Sequence, residues 1–306
     1  PELSIMERKI KYWFSAFRLR TLPLALSTVS LGAFLAYFDG AKNWPVLILA
    51  LLTTLFLQVL SNLANDYGDS SHGVDNENRV GPKRAVQSGK ISVGQMKNAI
   101  IIFTALSLAA GIPLVFLGLQ GTGIGSKIFF FILGLLAITS AIKYTVGRKP
   151  YGYYGYGDLF VFVFFGLVGV IGTYFLITNH FEPEMLLPAS AVGFLSVAVL
   201  NLNNMRDREN DAKSGKFTLV VRLGIRAARI YHLVLVSASV VFGLLYMIIN
   251  YRSPFQMFFL LTVPFFWMNV YGVFHHTLPA ELDPYLKRLA LTTFAFSVIF
   301  GLSLIL

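Results

Sequence analysis

Residues 47–64 read LILALLTTLFLQVLSNLA, and residues 65–84 continue NDYGDSSHGVDNENRVGPKR. An apolar run ends abruptly in Asp66, Asp69, Asp75 and Glu77, with Arg79, Lys83 and Arg84 close behind. A bilayer core about 30 Å thick is crossed by roughly 20 apolar residues in a helix. The first stretch therefore reads as a transmembrane helix and the second as what emerges from it. The rest of the chain has the same character. Of 306 residues, 56% are hydrophobic and 13% charged, and mean hydropathy is +0.66; a soluble domain carries about 25% charged residues. The deficit runs from end to end, which points to an integral membrane protein rather than a soluble domain with an anchor. Cysteine is absent, so disulfides, iron–sulfur clusters and thiol catalysis are excluded.

Nine segments have spanning length: about 21–38, 45–65, 97–119, 127–145, 158–178, 185–205, 228–249, 255–275 and 288–306. The first resembles a signal peptide's apolar stretch, but with so many spans behind it the reading is a first transmembrane helix. The expected fold class is an all-α membrane protein, one membrane-embedded domain over residues 1–306. Two connections are long, 66–96 and 206–227; a shorter one, 146–157, is rich in Gly and Tyr. With the N-terminus inside, 22 of the 25 Lys and Arg fall inside, and only Lys42, Lys127 and Arg252 fall outside. Positive charge collects on the cytoplasmic side of membrane proteins. This places the N-terminus and both long loops in the cytoplasm, in a plasma (inner) membrane. It also accounts for the net charge of +10 without nucleic acid as a partner.

The acids fall on helical spacings. Asn62 and Asp66 are four apart, as are Asn65 and Asp69, while Asp66 and Asp69 are three apart; such pairs share a helix face. The end of the sixth span repeats the pattern in NLNNMRDREND, residues 201–211. There Asp207 lies three or four residues from Asn204, Asn203 and Asp211. An echo follows each cluster: Ser88-Gly-Lys-Ile-Ser92 and Ser214-Gly-Lys-Phe-Thr218. Spans two and six point the same way, so the two clusters form a weak parallel repeat. An ionisable residue within a span costs about 2.5–3.5 kcal/mol, and a helix C-terminus is the unfavourable end for anions. Five aspartates so placed need neutralising. Asp and Asn oxygens without His or Cys suit Mg²⁺, which keeps waters and shares its coordination with substrate phosphates. Arg79, Lys83, Arg84, Lys90, Arg206, Lys213, Lys216 and Arg222 are the cations available for phosphate contacts. The plain alternative is a set of solvated loop charges. A transporter is a second alternative, which predicts charge near the bilayer midplane rather than at one end.

NDYGDSSHGVD and MRDREND resemble the two aspartate-rich motifs of the UbiA superfamily of intramembrane prenyltransferases, and the similarity covers nearly the whole chain. Arg20-Thr-Leu-Pro23, the run Gly81-Pro-Lys-Arg-Ala-Val-Gln-Ser-Gly89 and Lys216-Phe-Thr-Leu-Val-Val-Arg-Leu-Gly224 resemble its MenA-type branch. So does the six-residue gap from Asp69 to Asp75. The stretch YTVGRKPYGYYGYGDLF resembles the family's segment between spans four and five, with Asp158 where glutamate is commoner. The resemblance implies nine helices around a central cavity that opens to lipid. It implies Mg²⁺-dependent transfer of a prenyl group from a polyprenyl diphosphate to an aromatic acceptor. For the MenA branch the acceptor is 1,4-dihydroxy-2-naphthoate, CO₂ is lost, and the product is a demethylmenaquinol. 4-Hydroxybenzoate, homogentisate and haem precursors are the rival acceptors.

By the same resemblance, Asn62, Asn65, Asp66, Asp69 and Asp75 hold one Mg²⁺ and Asp207 and Asp211 a second. Lys83, Arg84, Lys143 and Lys216 are implied diphosphate or acceptor contacts, Lys143 among the catalytic group. Arg79, Gln87, Asn203, Asn204, Arg206, Tyr144 and Tyr151 complete the substrate-contact candidates. Tyr151, Tyr153, Tyr154 and Tyr156 read first as an interfacial belt. His232, His275 and His276 read as packed or interfacial residues, and Glu77, Glu209, Glu281 and Asp283 as ordinary loop charges. His72 sits within the first motif's loop. Gly121-Thr-Gly-Ile-Gly125, a short turn on the opposite side with no preceding strand, is a turn and not a nucleotide loop. Lys42→Ala, on the outer side, is expected to leave turnover unchanged in a purified-enzyme assay; a large loss would overturn the topology.

Overall fold

A computed structural model describes residues 5–77 and 79–306; residues 1–4, and Asn78 within the expected loop 66–96, lie outside the described residues. Among the described residues there is no strand, and nine helical stretches are long and apolar enough to cross a bilayer. They are α1 (Met6–Phe38), α2 (Trp44–Ser71), α3 (Val93–Gly118), α4 (Ile124–Lys143), α5 (Gly157–Thr178), α6 (Pro183–Lys213), α7 (Leu219–Ile249), α8 (Pro254–His275) and α9 (Pro279–Ile305). The all-helical, nine-span expectation holds.

The helices beside the two long loops run further than expected. α2 runs to Ser71 rather than about 65, α6 to Lys213 rather than 205, and α7 begins at Leu219 rather than 228. Hydropathy marks where the bilayer stops; backbone hydrogen bonding carries each helix further, through polar turns. The two loops shrink accordingly, and most of the acids belong to helices. α1 begins early, at Met6, and is broken at Arg18, whose backbone is left-handed (φ 49, ψ 61) and leads into a 3₁₀ turn at Leu19–Thr21.

α6 lies at the centre and α4 at the periphery: 78% of the apolar window of α6 is buried, against 6% for α4. The main core joins α6 to α1, α5, α7, α8 and α9 through residues such as Leu31, Leu195, Tyr246 and Phe296. α5 is π-helical over Phe162–Ile171, a wide-turn geometry that recurs at functional sites.

Both acid-bearing helices end in the same way. Gly73 (φ 72) follows α2, and Gly215 (φ 75) follows α6. Glycine takes this left-handed turn without a steric penalty, and the turn folds the next backbone N–H groups back onto the helix end. The N–H groups of Val74 and Asp75 donate to the Asp69 carbonyl, and that of Lys216 to the Asp211 carbonyl. The two turns carry Asp75 and Lys216 back over the acids they follow.

Gly68 sets the approach of α2 to the segment after α4. A Cβ there would stand 2.5 Å from Thr145 Oγ1 and 2.6 Å from the Thr145 carbonyl oxygen. Thr145 uses this contact to donate to the Ala64 carbonyl (3.0 Å) and to Asn65 Oδ1 (3.2 Å). Gly68→Val is expected to lower stability by about 1–3 kcal/mol, the usual range for overpacking, read as a lower melting temperature in detergent. An unchanged melting temperature would show that the two segments separate freely.

Candidate active site

The C-terminal turns of α2 and α6 meet at one end of a cavity of about 390 Å³. That end is lined by Asn62, Asn65, Asp69, Asp75, Asn203, Asp207 and Asp211, with the cations Arg18, Arg79, Arg84 and Lys216. From there the cavity runs between α1, α2, α3, α4 and α5 along Leu24, Leu57, Leu108, Phe130, Phe164 and Leu176. One end is ionic and the remainder apolar.

Cations cross-link the two clusters. Arg79 bonds Asp75 (2.7 Å) and reaches Asp207 (3.4 Å). Lys216 lies 3.5 Å from Asp69 and 4.0 Å from Asp211. Arg206, almost wholly buried, grips Asp207 with two bonds, Nε to Oδ1 at 3.1 Å and Nη2 to Oδ2 at 2.7 Å. It also donates to Asn203 Oδ1 (2.7 Å) and Asp283 Oδ1 (2.5 Å). Asp207 further accepts the Gly81 backbone N–H (3.3 Å). Tyr153 donates its hydroxyl to Asp69 (2.7 Å), and Lys216 stands over the Tyr153 ring.

Outside the membrane spans, burial pushes the Asp75 carboxyl up to about 7, against the pull of Arg79. Burial alone would lower Lys216, but Asp69 and Asp211 outweigh it and hold the ammonium above its ordinary range. Burial, then Asp69, raises the Tyr153 phenol. Burial raises that of Tyr144 to about 12.

The candidates from sequence divide into three groups. Asn62, Asn65, Asp69, Asp75, Arg79, Arg84, Tyr144, Tyr151, Asn203, Asp207, Asp211 and Lys216 line the cavity. Asp66, Gln87, Asn204 and Arg206 stand behind it. Asp66 accepts the backbone N–H groups of Ala85 (3.0 Å) and Val86 (3.2 Å), which ties α2 to the 81–89 loop. Gln87 donates to the Asn76 carbonyl and accepts from the Arg84 N–H. Asn204 is buried behind the lining. Lys83 and Lys143 are exposed and outside the lining, as are Lys90, Lys213 and Arg222. Asp158 bonds the Tyr231 hydroxyl away from the cavity (3.1 Å), and His72 bonds the Gly68 and Gly147 carbonyls.

Three residues differ from the sequence expectation. Tyr153 is not an interfacial belt residue; it is buried against Asp69, whereas Tyr154 and Tyr156 are exposed. Asp283 is not an ordinary loop charge, since it joins Arg206 to Arg20. Arg18 lines the cavity at the break in α1. Its only available signal was its place two residues before the Arg20-Thr-Leu-Pro23 stretch.

Among the described residues no three carboxylate or imidazole side chains form a ready-made metal cluster. The donor set nevertheless suits a hard cation. Every candidate ligand offers oxygen, and Asp75 Oδ2 is buried at the cavity without a hydrogen-bond partner. An ion that brings waters and phosphate oxygens needs few protein ligands.

The model of the UbiA prenyltransferase family matches residues 25–302. A 1,4-dihydroxy-2-naphthoate octaprenyltransferase of Haemophilus influenzae is 41% identical over 304 residues, 99% of this chain and 98% of its own. An Escherichia coli protein of the same name is 42% identical over 276 residues, 90% of this chain and 89% of its own. Among solved structures, a UbiA homologue from Aeropyrum pernix K1 has a TM-score of 0.68 at 15% identity, covering 94% of this chain and 98% of that one. A UbiA homologue from Archaeoglobus fulgidus, bound to DMAPP and Mg²⁺, has a TM-score of 0.62 at 17% identity, covering 94% and 99%.

Removing one partner of a buried ion pair costs about 3–5 kcal/mol, because the other charge is left uncompensated. Arg206→Gln is therefore expected to destabilise by that amount in thermal unfolding. Arg208→Gln, at a half-exposed pair with Glu209, is expected to cost less than about 1 kcal/mol. Equal effects would mean that Arg206 does not secure Asp207.

Proposed function

This chain belongs to the UbiA prenyltransferase family, and from that premise we propose that it transfers a polyprenyl group from polyprenyl diphosphate to 1,4-dihydroxy-2-naphthoate. CO₂ and diphosphate are released, and the product is a demethylmenaquinol of menaquinone biosynthesis. One observation carries the reading: a single cavity joins a cation-and-carboxylate end to a long apolar lining, the division found in a polyprenyl diphosphate itself. The names of the Haemophilus and Escherichia relatives, at about 40% identity over most of their length, support the naphthoate as acceptor.

The reading takes the chain as one membrane-embedded prenyltransferase domain, multi-pass in the plasma membrane. The distribution of Lys and Arg supports a cytoplasmic N-terminus and cytoplasmic catalytic loops. The proposed metal ligands are Asn62, Asn65, Asp69 and Asp75 on one side and Asp207 and Asp211 on the other, enough for two ions. Asp66, grouped with them by resemblance, bonds the 81–89 loop in this fold and steadies the ligands beside it. Mg²⁺, when bound, supplies positive charge that stabilises the departing diphosphate.

The chain's own groups do the rest. As the bond from the allylic carbon to the diphosphate oxygen breaks, its electron pair goes to the diphosphate. Arg79, Arg84 and Lys216 line the cavity where that charge accumulates. Tyr144 and Tyr151 line the adjoining wall, with Tyr151 stacked on Phe160 at 4.0 Å. Their ring faces attract the developing allylic cation. The ring carbon bearing the carboxylate forms the new carbon–carbon bond. CO₂ then leaves, and its bonding pair restores the aromatic ring. The apolar walls keep water from the cation.

The test is turnover in lipid discs with radiolabelled polyprenyl diphosphate and dihydroxynaphthoate, 4-hydroxybenzoate or homogentisate, with and without Mg²⁺. Labelling of the naphthoate with CO₂ release, only with Mg²⁺, is expected. Labelling of another acceptor would replace the substrate. Labelling of none would overturn the reading. Removing one electrostatic stabiliser of a transition state costs about 10²–10³ in rate. Asp69→Ala, Asp207→Ala and Asp211→Ala should each lose at least that much turnover, and Asp207→Ala, which strips buried Arg206 of its partner, should also melt lower; near-normal rates in any two would exclude the proposed metal site.

A further inference from the structure

A second cleft, of about 370 Å³, opens between the end of α8 and the first turns of α9. Tyr271 and His275 line it from α8, Tyr285 and Arg288 from α9, and His276 and Glu281 close it near the connection. None of these residues lines the cavity described above. The cleft stands at the same end of the bundle as the acids, since Asp283, beside it on α9, pairs with Arg206. Its walls are fixed. A Cβ on Gly272 would stand 2.2 Å from two atoms of the Tyr285 ring, so a bare backbone on α8 admits that ring. Asn269 holds the Tyr285 carbonyl at 2.9 Å. The His275 ring stacks on Tyr271 at 3.9 Å, and the Arg288 guanidinium lies 5.7 Å from the centre of the Tyr285 ring.

Charge at this corner is unbalanced. Its acids are already engaged: Glu281 accepts the backbone N–H groups of Thr277 (2.9 Å) and Leu278 (3.2 Å), and Asp283 pairs with Arg20 and Arg206. Its cations are not. Among the described residues, Arg229 and Arg288 have no carboxylate within 4.0 Å. Arg229, on α7, backs the cleft by donating to the His276 carbonyl (2.9 Å), and its Nε is buried without a partner.

Depth decides which anion answers that charge. α8 ends at His275, and the apolar run of α9 starts at about residue 288, so the cleft straddles the boundary between hydrocarbon and water. About one turn deeper, Trp267, Met268 and Leu291 are exposed to lipid. Tyrosine beside cations is the usual composition at headgroup level. The anion abundant at that level is a phosphodiester, and basic pockets between spans take lipid headgroups. We propose that the cleft between α8 and α9 binds the headgroup of an anionic phospholipid, with Arg288 on the phosphate. A guanidinium offers two parallel N–H groups to phosphate oxygens, and Arg229 adds its charge from behind the wall. The acyl chains then lie along Trp267, Met268 and Leu291. This site is separate from the reaction proposed above and does not depend on it.

Trp267 is a local reporter, four residues from Tyr271 and so on the same helix face. Trp13→Phe and Trp44→Phe remove the other two tryptophans. The full chain is placed in phosphatidylcholine vesicles containing phosphatidylglycerol, and one lipid or the other carries brominated acyl chains, which quench a neighbouring indole. Brominated phosphatidylglycerol is expected to quench Trp267 saturably, with a preference over brominated phosphatidylcholine of about fivefold or more. Arg288→Gln should cut that preference to within about twofold, and Arg288→Lys, which keeps the charge, should retain most of it. Arg288 is exposed, so the fold tolerates both changes, and melting temperatures check this. Lys213→Gln, an exposed cation at the same end of the molecule, should leave the preference intact. Equal quenching by the two lipids, a preference that survives Arg288→Gln, or one lost equally in Lys213→Gln would overturn the site. Relief of the extra quenching by inorganic phosphate at matched phosphate concentration would assign the cleft to a free anion and overturn the lipid.

Discussion

Carboxylates held away from water must be neutralised, and that requirement organises the end of this molecule where α2 and α6 finish. Asp69, Asp75, Asp207 and Asp211 are all buried, and Asp69 and Asp211 lie in the last turns of α2 and α6, where the helix dipole disfavours them. Burial of an unpaired charge costs several kcal/mol. The chain meets the requirement by pairing across motifs: Arg79 joins the loop after α2 to α6, and Lys216, from the loop after α6, reaches back to Asp69. Each acidic helix is thus neutralised partly by the segment that follows the other. The parallel repeat is therefore an interlock: each half pairs acids of its own, as Arg206 does Asp207 and Arg79 does Asp75, and also lends a cation to the other.

The bilayer supplies the second constraint. Helices bury apolar faces against each other or against lipid, and the peripheral α4 needs few protein contacts because lipid covers it. That allows a cavity with an ionic end near water and an apolar length within the hydrocarbon. Arg18 and Tyr153 show how closely the ends of the helices serve the site. One sits at a backbone break in α1, and the other lies in the short connection before α5; both lie against the charged cluster.

Much of this was legible in the sequence because it depends on local spacing. Runs of spanning length gave the helices, and spacings of three and four placed the acids of α2 and α6 on common faces. What hydropathy missed were helix ends, since polar turns continue a helix as readily as apolar ones; Asp66 and Asp69 belong to α2, which ends at Ser71. Pairings distant in sequence were also hidden. Asp283 meets Arg206 from 77 residues away, and no spacing announces that. Tyr153 was one of four similar tyrosines, and only the fold separates the one against Asp69 from the exposed pair. Lys83 and Lys143 carry the right charge, but the backbone leaves them facing outward.

In the proposed function the acids rest on the chain's own cations and take up metal together with diphosphate. Binding of two ligands at coupled sites is reciprocal, so calorimetric titration of Mg²⁺ into the purified protein, with and without inorganic pyrophosphate, tests it directly. Weak Mg²⁺ binding is expected alone, and binding at least about tenfold tighter when pyrophosphate is present, a coupling of about 1.4 kcal/mol. Equally tight binding in both titrations would contradict it, showing a metal site already formed before the diphosphate arrives.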